Sequence, residues 1–210
     1  MLVGDMMTKR PVVARPDTSV PNALKIMQGS QVRMLPVLDE KEKLVGVVTL
    51  TDLFRALPSP ASSLSRWEVE YLLDQVKVDE VMTRKAVTVT KDTAVEEAGR
   101  IMSERKVSGV PVMNGDSLVG MITESHLFSL LLDVFGAEEH GLRVTVKMPL
   151  ARGGLSKLST AVAGVGGRFV AFAESMDKGT ATFKVQDVDQ EALRKAIAPF
   201  IDEVVDLRET

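Results

Sequence analysis

The sequence predicts a mixed α/β (α+β) chain in which two β-α-β-β-α units are followed by a third unit of order βαββαβ. Three observations carry that expectation: an internal duplication, short apolar runs alternating with helix-period segments, and a change of pattern after Gly136. Asp5 to Asp39 aligns with Glu80 to Asn114 at an offset of 75, and Leu44 to Leu57 aligns with Leu118 to Leu131 at an offset of 74. Matched pairs include Met7/Met82, Thr8/Thr83, Asp17/Asp92 and Ile26/Ile101, and Leu44-Val45-Gly46 matches Leu118-Val119-Gly120. Shared composition does not place such identities in one register, so one unit has been duplicated.

Each copy follows the same course. Val87-Thr88-Val89-Thr90 alternates with a period of two, as a short strand does. Thr93 to Glu96 has the capping-box pattern, in which a hydroxyl and a carboxylate satisfy orphan amides at a helix start. Val95, Ala98, Ile101 and Met102 then recur at helical spacing, as Val20, Ala23, Ile26 and Met27 do in the first copy. There Pro21 replaces the Glu, still within the first turn, where a missing N–H is harmless. Val110 to Met113 and Leu118 to Thr123 read as strands joined by the turn Asn114-Gly115-Asp116-Ser117. A last helix runs from Ser125 to Phe135 and stops at Gly136. A unit of about 55 residues buries too little surface alone, so the copies are expected to pair.

Between the copies, Pro58-Ser59-Pro60-Ala61-Ser62-Ser63 reads as a linker. A helix from Leu64 to Val76 follows, with a Ser65–Glu68 capping box and the chain's one Trp and one Tyr, Trp67 and Tyr71. Such a helix either covers its own domain or docks a second subunit. Beyond Gly136, Leu142, Val144, Val146 and Met148 alternate with polar residues as in a half-buried strand. The loop Arg152-Gly153-Gly154 leads to a helix with Leu155, Leu158, Val162 and Val165 on one face, ended by Gly166-Gly167. Phe169 to Glu174 and Thr180 to Val185 form a hairpin, Asp189 caps a helix, and Val204 to Leu207 is the closing strand. The domain plan is therefore a first repeat at 1–57, a linker and helix at 58–79, a second repeat at 80–136 and a ferredoxin-like unit at 142–210.

Composition narrows the function. Apolar residues at 45% and charged residues at 26% are ordinary for a globular chain. The absence of cysteine excludes disulfides, thiolate zinc sites, iron–sulfur clusters and thiol nucleophiles. Two histidines, His126 and His140, leave no His-rich metal site and little material for a Ser-His-Asp triad. His140 sits in the polar stretch Glu138 to Gly141, where a solvated role is expected. No acid and base flank a nucleophile and no Gly-Lys-Ser/Thr phosphate loop occurs, so the expectation is a protein that is not an enzyme. With 26 basic and 29 acidic residues, nucleic acid is not an expected partner. No apolar run approaches the roughly 18 residues of a membrane span and no signal-peptide pattern opens the chain, so a cytoplasmic protein without a membrane partner is expected.

The sharpest local feature is Gly46-Val47-Val48-Thr49-Leu50-Thr51-Asp52. The strand ends at Thr49, and Asp52 falls in the first turn of the following helix. Helix-start amides and the Thr49 hydroxyl can receive a phosphate. The Asp52 carboxylate can accept two hydrogen bonds from a ribose diol. Equally, Thr49 can be an N-cap and Asp52 a carboxylate that complements the helix dipole.

Both copies resemble CBS motifs (cystathionine-β-synthase domains), which occur in tandem and bind adenine nucleotides or related adenosyl ligands. The matching residues are Met7-Thr8, the strand Pro11-Val12-Val13, Leu35-Pro36-Val37, Leu44 to Thr49 and Asp52-Leu53 in the first copy. In the second they are Met82-Thr83, Gly109 to Val112, Leu118 to Thr123 and Leu127. The resemblance covers residues 1–136 and implies two pseudo-equivalent clefts between paired sheets. In one, Thr49 and Asp52 would take phosphate and ribose while adenine rests against Thr8, Pro11, Met34 and Leu35. Thr83, Val110, Thr123 and His126 would line the other. No catalytic cofactor is implied, only an adenine nucleotide or adenosylmethionine as a regulatory ligand.

The second copy departs from the pattern, since Glu124-Ser125-His126 puts a histidine where the family carries its ribose-binding Asp. An imidazole cannot supply two acceptors. That cleft is then empty, or His126 meets phosphate, or His126 simply packs. The Asp52 side is accordingly expected to bind ribose and the His126 side not to do so in the same way. The C-terminal unit resembles the ACT domain, a regulatory fold that often dimerises and binds amino acids at its first glycine loop. Where that family reads Asp-Arg-Pro-Gly, this chain has Ala151-Arg152-Gly153-Gly154; Gly153 and Gly154 still permit close backbone approach. The whole arrangement resembles the bacterial acetoin-utilisation CBS–ACT proteins. The resemblance implies a regulatory sensor acting on an unidentified enzyme or regulator. A homodimer is expected through the helix Leu127 to Phe135, which is apolar on almost every side. The alternative is an oligomeric interaction scaffold with vestigial clefts.

Overall fold

The computed structural model describes residues 1–57, 66–148, 153–175 and 177–210, without the side chains of residues 66, 67, 69, 70 and 73. The linker at 58–63, the expected helix start at Leu64, the capping box at Ser65, the Trp67 side chain and the loop positions Ala151 and Arg152 therefore lie outside the described residues. The chain divides into two units, Met1–Leu127 and Phe128–Thr210.

The first unit opens with α1 (Val3–Met6), β1 (Thr8–Lys9), α2 (Val20–Gly29), β2 (Met34–Leu38), β3 (Leu44–Thr49) and α3 (Leu50–Arg55). It continues with α4 (Arg66–Gln75), α5 (Val78–Val81), β4 (Val89–Thr90), α6 (Val95–Arg105), β5 (Gly109–Asn114) and β6 (Ser117–Thr123). α7 (Glu124–Val134) begins here and runs on into the second unit. The hairpins β2-β3 and β5-β6 are antiparallel, and each has a register shift at the matching place, after Val37 and after Val112. Their central residues are buried on both faces, so these strands read as continuous apolar runs rather than alternations.

The repeats exchange their N-terminal segments. β1 pairs antiparallel with β6 of the other repeat, Thr8 opposite Met121 and Lys9 opposite Gly120. Symmetrically, Thr83 and Val47 exchange backbone hydrogen bonds of 2.9 and 3.0 Å. Val3 lies in the core of the second repeat with Val89, Ala98, Met102 and Ile122, while Val78 and Met82 complete the core of the first. Two glycines make room for this crossing. A Cβ on Gly46 would lie 2.7 Å from Met82 Sδ and 2.8 Å from the Thr83 carbonyl; one on Gly120 would meet Met7 Sδ and, at 2.9 Å, the Thr8 carbonyl. Only glycine lets the backbone of one repeat lie so close on that of the other.

Two local expectations are corrected. Thr93 does not cap α6, whose N-cap is Ala94; its hydroxyl instead accepts the N–H of Thr90 at 3.1 Å, as Thr18 accepts that of Arg15 at 3.0 Å. Serving a turn on its N-terminal side, that hydroxyl is not available to the helix. Pro11-Val12-Val13 is not a strand; the first copy keeps only a single parallel bridge, Ala14 to Val37, where the second has β4 beside β5.

The second unit contains β7 (Leu142–Lys147), α8 (Gly154–Gly164), β8 (Arg168–Ser175), β9 (Thr180–Gln186), α9 (Gln190–Ile197) and β10 (Glu203–Glu209). The order is β-α-β-β-α-β, and the antiparallel sheet runs β10-β7-β9-β8. Leu142, Val144 and Val146 are buried with Leu158, Val162, Phe183, Leu193 and Ile197, so one sheet face and the two helices share a core. Asp189 caps α9, its Oδ1 accepting the N–H groups of Glu191 and Ala192 at 2.9 and 3.0 Å. Leu155, expected on the apolar face of α8, is exposed instead. Gly136 adopts φ 57°, and its carbonyl accepts a 3.0 Å hydrogen bond from the buried Lys184 Nζ. Among the described residues no helix is long and apolar enough to cross a membrane, and no group of carboxylates or histidines could hold a metal ion.

Candidate functional site

The two strand ends carry matching constructions. Thr49 is the N-cap of α3, its Oγ1 accepting the Asp52 N–H at 3.2 Å. Asp52 Oδ2 in turn accepts the Thr49 N–H at 2.9 Å and the Thr49 hydroxyl at 2.6 Å. This is a complete capping box. In the second repeat His126 takes the carboxylate's place: Nδ1 accepts the Thr123 N–H at 3.1 Å and lies 2.9 Å from Thr123 Oγ1. An amide N–H pointed at Nδ1 requires a lone pair there, so the ring proton sits on Nε2, which faces the Thr8 hydroxyl at 3.2 Å. His126 is thus a neutral cap linking the two repeats. Burial lowers its pKa from the ordinary imidazole value, in keeping with that role.

Among the described residues two cavities flank these strand ends, and they are unequal. The larger, about 430 Å³, is lined among others by Thr8, Pro11, Met34, Thr123 and His126. The smaller, about 70 Å³, is lined by Met34, Thr49, Thr83, Val107, Gly109 and Pro111, among others. Thr8 and Pro11 therefore do not accompany Thr49 and Asp52, as expected, but face the strand end of the other repeat. The exchange of N-terminal segments causes this, because β1 lies beside β6. Thr83 is carried to Thr49 in the same way. Asp52 lines neither cavity, since its carboxylate is turned back onto Thr49. Leu35 and Val110 are fully buried in the two repeat cores and line neither cavity.

Ligand cavities in proteins span about 300–1,000 Å³. The His126 side falls within that range and the Asp52 side falls far below it. The larger cavity also has the longer helix behind it, 11 residues in α7 against six in α3. Three charged residues that no motif signalled also line it: Arg10, Arg33 and Glu124. The sequence held one trace of them, since Arg33 directly precedes Met34 at the start of β2. In the second unit, Gly153 takes φ 84° as the N-cap of α8 and Gly154 is its first residue. The broad cavity of that unit is lined by His140, Gln186 and Asp189, among others, and by neither glycine.

Comparison with known proteins agrees with this architecture. The CBS domain family pattern matches residues 3–59 and 78–133. A CBS domain-containing protein of Dictyostelium discoideum is 33% identical over 135 residues, 64% of this chain and 93% of the relative. L-aspartate semialdehyde sulfurtransferase of Methanocaldococcus jannaschii is 31% identical over 130 residues, 61% of this chain but 23% of that enzyme. Among solved structures, the CBS domain pair of protein MJ0100, in complex with 5′-methylthioadenosine and S-adenosyl-L-methionine, is 29% identical at a TM-score of 0.53, covering 66% of this chain and 98% of that one. CBSX2 in complex with AMP, a protein of Arabidopsis thaliana, is 33% identical at a TM-score of 0.51, covering 62% and 96%. A Vibrio cholerae protein assigned to acetoin utilization is 26% identical at 0.54, covering 66% and 95%. Two repeats, exchanged N-terminal strands and a matching family pattern over both lead to one conclusion: the chain belongs to the CBS-domain family, as a tandem pair.

Proposed function

We propose that this chain is a cytoplasmic, non-enzymatic regulatory protein that binds one adenosine-containing ligand in the cavity lined by Thr8, Pro11, Met34, Thr123 and His126. The observation that carries the reading is that cavity's volume of about 430 Å³, set between the repeats at the start of an 11-residue helix. The solved relatives hold AMP, or methylthioadenosine with adenosylmethionine, which supports the ligand class. On this reading the Asp52 side serves mainly as a structural cap, the reverse of the asymmetry expected from the sequence. The C-terminal unit is read as an ACT-like partner of the CBS pair, on its element order and sheet order. Ligand binding regulates only if the ligand favours one of two conformations.

Thermal melts of the full chain with AMP, ADP, ATP, adenosylmethionine and methylthioadenosine test the reading. A ligand at 100 times its dissociation constant adds about 2.7 kcal/mol of stability. A second reading, an oligomeric scaffold, is favoured by the exposure of Phe128, Leu131, Leu132, Val134 and Phe135 along and just beyond α7. A dimer that responds to none of these compounds would select it.

A further inference from the structure

Resting on the reading that the larger cavity holds an adenosine ligand, we propose that Arg10 and Arg33 make it selective for adenosine 5′-phosphates over thioether or sulfonium adenosyl compounds. The charges around the cavity point this way. Its lining carries two guanidiniums, Arg10 and Arg33, against one carboxylate, Glu124. Among the described residues no carboxylate forms an ion pair with either guanidinium, so their charge is not spent within the protein. Both arginines are exposed, which leaves their side chains free to turn toward a ligand. His126 adds no charge, because its Nδ1 receives the Thr123 N–H.

A guanidinium matches a phosphate with two parallel N–H donors, and such charge-assisted hydrogen bonds are stronger than neutral ones. Adenosylmethionine carries a net positive charge, its sulfonium and ammonium outweighing its one carboxylate, so the same pair meets it at a disadvantage, and a neutral thioether offers no acceptor of comparable strength. Selectivity would therefore come from the 5′ end of the ligand, with the nucleoside common to all three.

The backbone supplies an independent sign. Arg10 adopts φ 50°, the left-handed region that L residues other than Asn and Asp avoid, while its counterpart Lys85 in the second repeat does not. Non-glycine residues held in that region concentrate at ligand clamps and switch regions. Glycine would relieve the conformation at Arg10, yet the chain holds an arginine there, at the rim of the cavity.

Calorimetric titration of the full chain with AMP, ADP, adenosine, methylthioadenosine and adenosylmethionine, at low and high salt, decides the matter. AMP and ADP are expected to bind at least tenfold more tightly than methylthioadenosine, with the margin shrinking as salt rises. Arg10→Gly and Arg33→Gln should each weaken AMP at least fivefold and leave methylthioadenosine within twofold. Arg10→Gly should melt no lower than the parent, so its loss of affinity is not a loss of fold. Equal or tighter binding of methylthioadenosine or adenosylmethionine, or AMP affinity that survives both substitutions, overturns the selectivity while the adenosine site stands. Failure of every adenosine compound to bind overturns the site, and this inference with it.

Discussion

The Thr8 hydroxyl stands 3.2 Å from Nε2 of His126, a contact between residues 118 positions apart that joins the first strand of one repeat to the helix start of the other. Because Nδ1 is committed to the Thr123 N–H, that second contact belongs to the neutral ring. Protonation would place a hydrogen on Nδ1 against that N–H.

Stability should therefore depend on pH through His126. Burial holds the folded imidazole below its ordinary value, so the unfolded chain binds the proton more readily. The contribution is complete above the unfolded value of about 6.5 and is lost as pH falls through the lower folded value. Denaturant melts between pH 5 and pH 8 should show the decline, and His126→Asp should remove its part of it. A slope unchanged by that substitution would mean that the ring does not titrate as described.

Asp52→Ala should cost about 0.5–2 kcal/mol, the usual worth of a capping interaction. Affinity for an adenosine ligand in the larger cavity should stay within twofold. Calorimetry showing strong loss of binding in a fully folded variant would return the ligand to the Asp52 side.

Gly120→Ala should destabilise the first unit by about 1–3 kcal/mol, because its Cβ meets Met7 Sδ and the Thr8 carbonyl. Adding Met7→Ala should recover part of that loss, since the sulfur is one of the two obstacles. A double-mutant cycle by urea unfolding measures the coupling. Strict additivity would mean the crossing is looser than described.

The homodimer expected from the sequence would form through the exposed face of α7. Phe128→Glu together with Leu132→Glu should convert a dimer to a monomer in light scattering without lowering the melting temperature of the monomeric unit. A parent chain that is monomeric at micromolar concentration would overturn the dimer expectation and the scaffold reading with it.

The duplication, the hairpins and the Asp189 cap were legible because each is a local or periodic signal. What escaped was pairing over long range. Thr8-Lys9 makes a strand of only two residues, too short to carry a register, so nothing local tells that it lies beside Gly120. That single exchange decides which residues share a cavity, and so it moved Thr8 and Pro11 from one site to the other. Leu35 and Val110 escaped for a different reason. β2 and β5 are apolar on both faces, and without alternation a sequence does not say which neighbour faces a cleft. The repeat alignment treats Arg33 and Ser108, and Met34 and Gly109, as equivalent, so it gives no warning that the two cavities differ in volume.

The swapped N-terminal segments bear on how the chain is made and how it arose. A nascent first repeat leaves the ribosome without Val78 and Met82 to finish its core, and Val3 waits beside it for a partner core not yet synthesised. Folding must delay its reward until such distant contacts close, which favours one cooperative, slow step over repeat-by-repeat assembly. Before the duplication, a lone ancestral repeat could satisfy the same contacts only by trading arms with a second molecule. The fusion turned that encounter between chains into a tether, and afterwards each copy was free to drift, so that one strand end now carries an aspartate and the other a histidine.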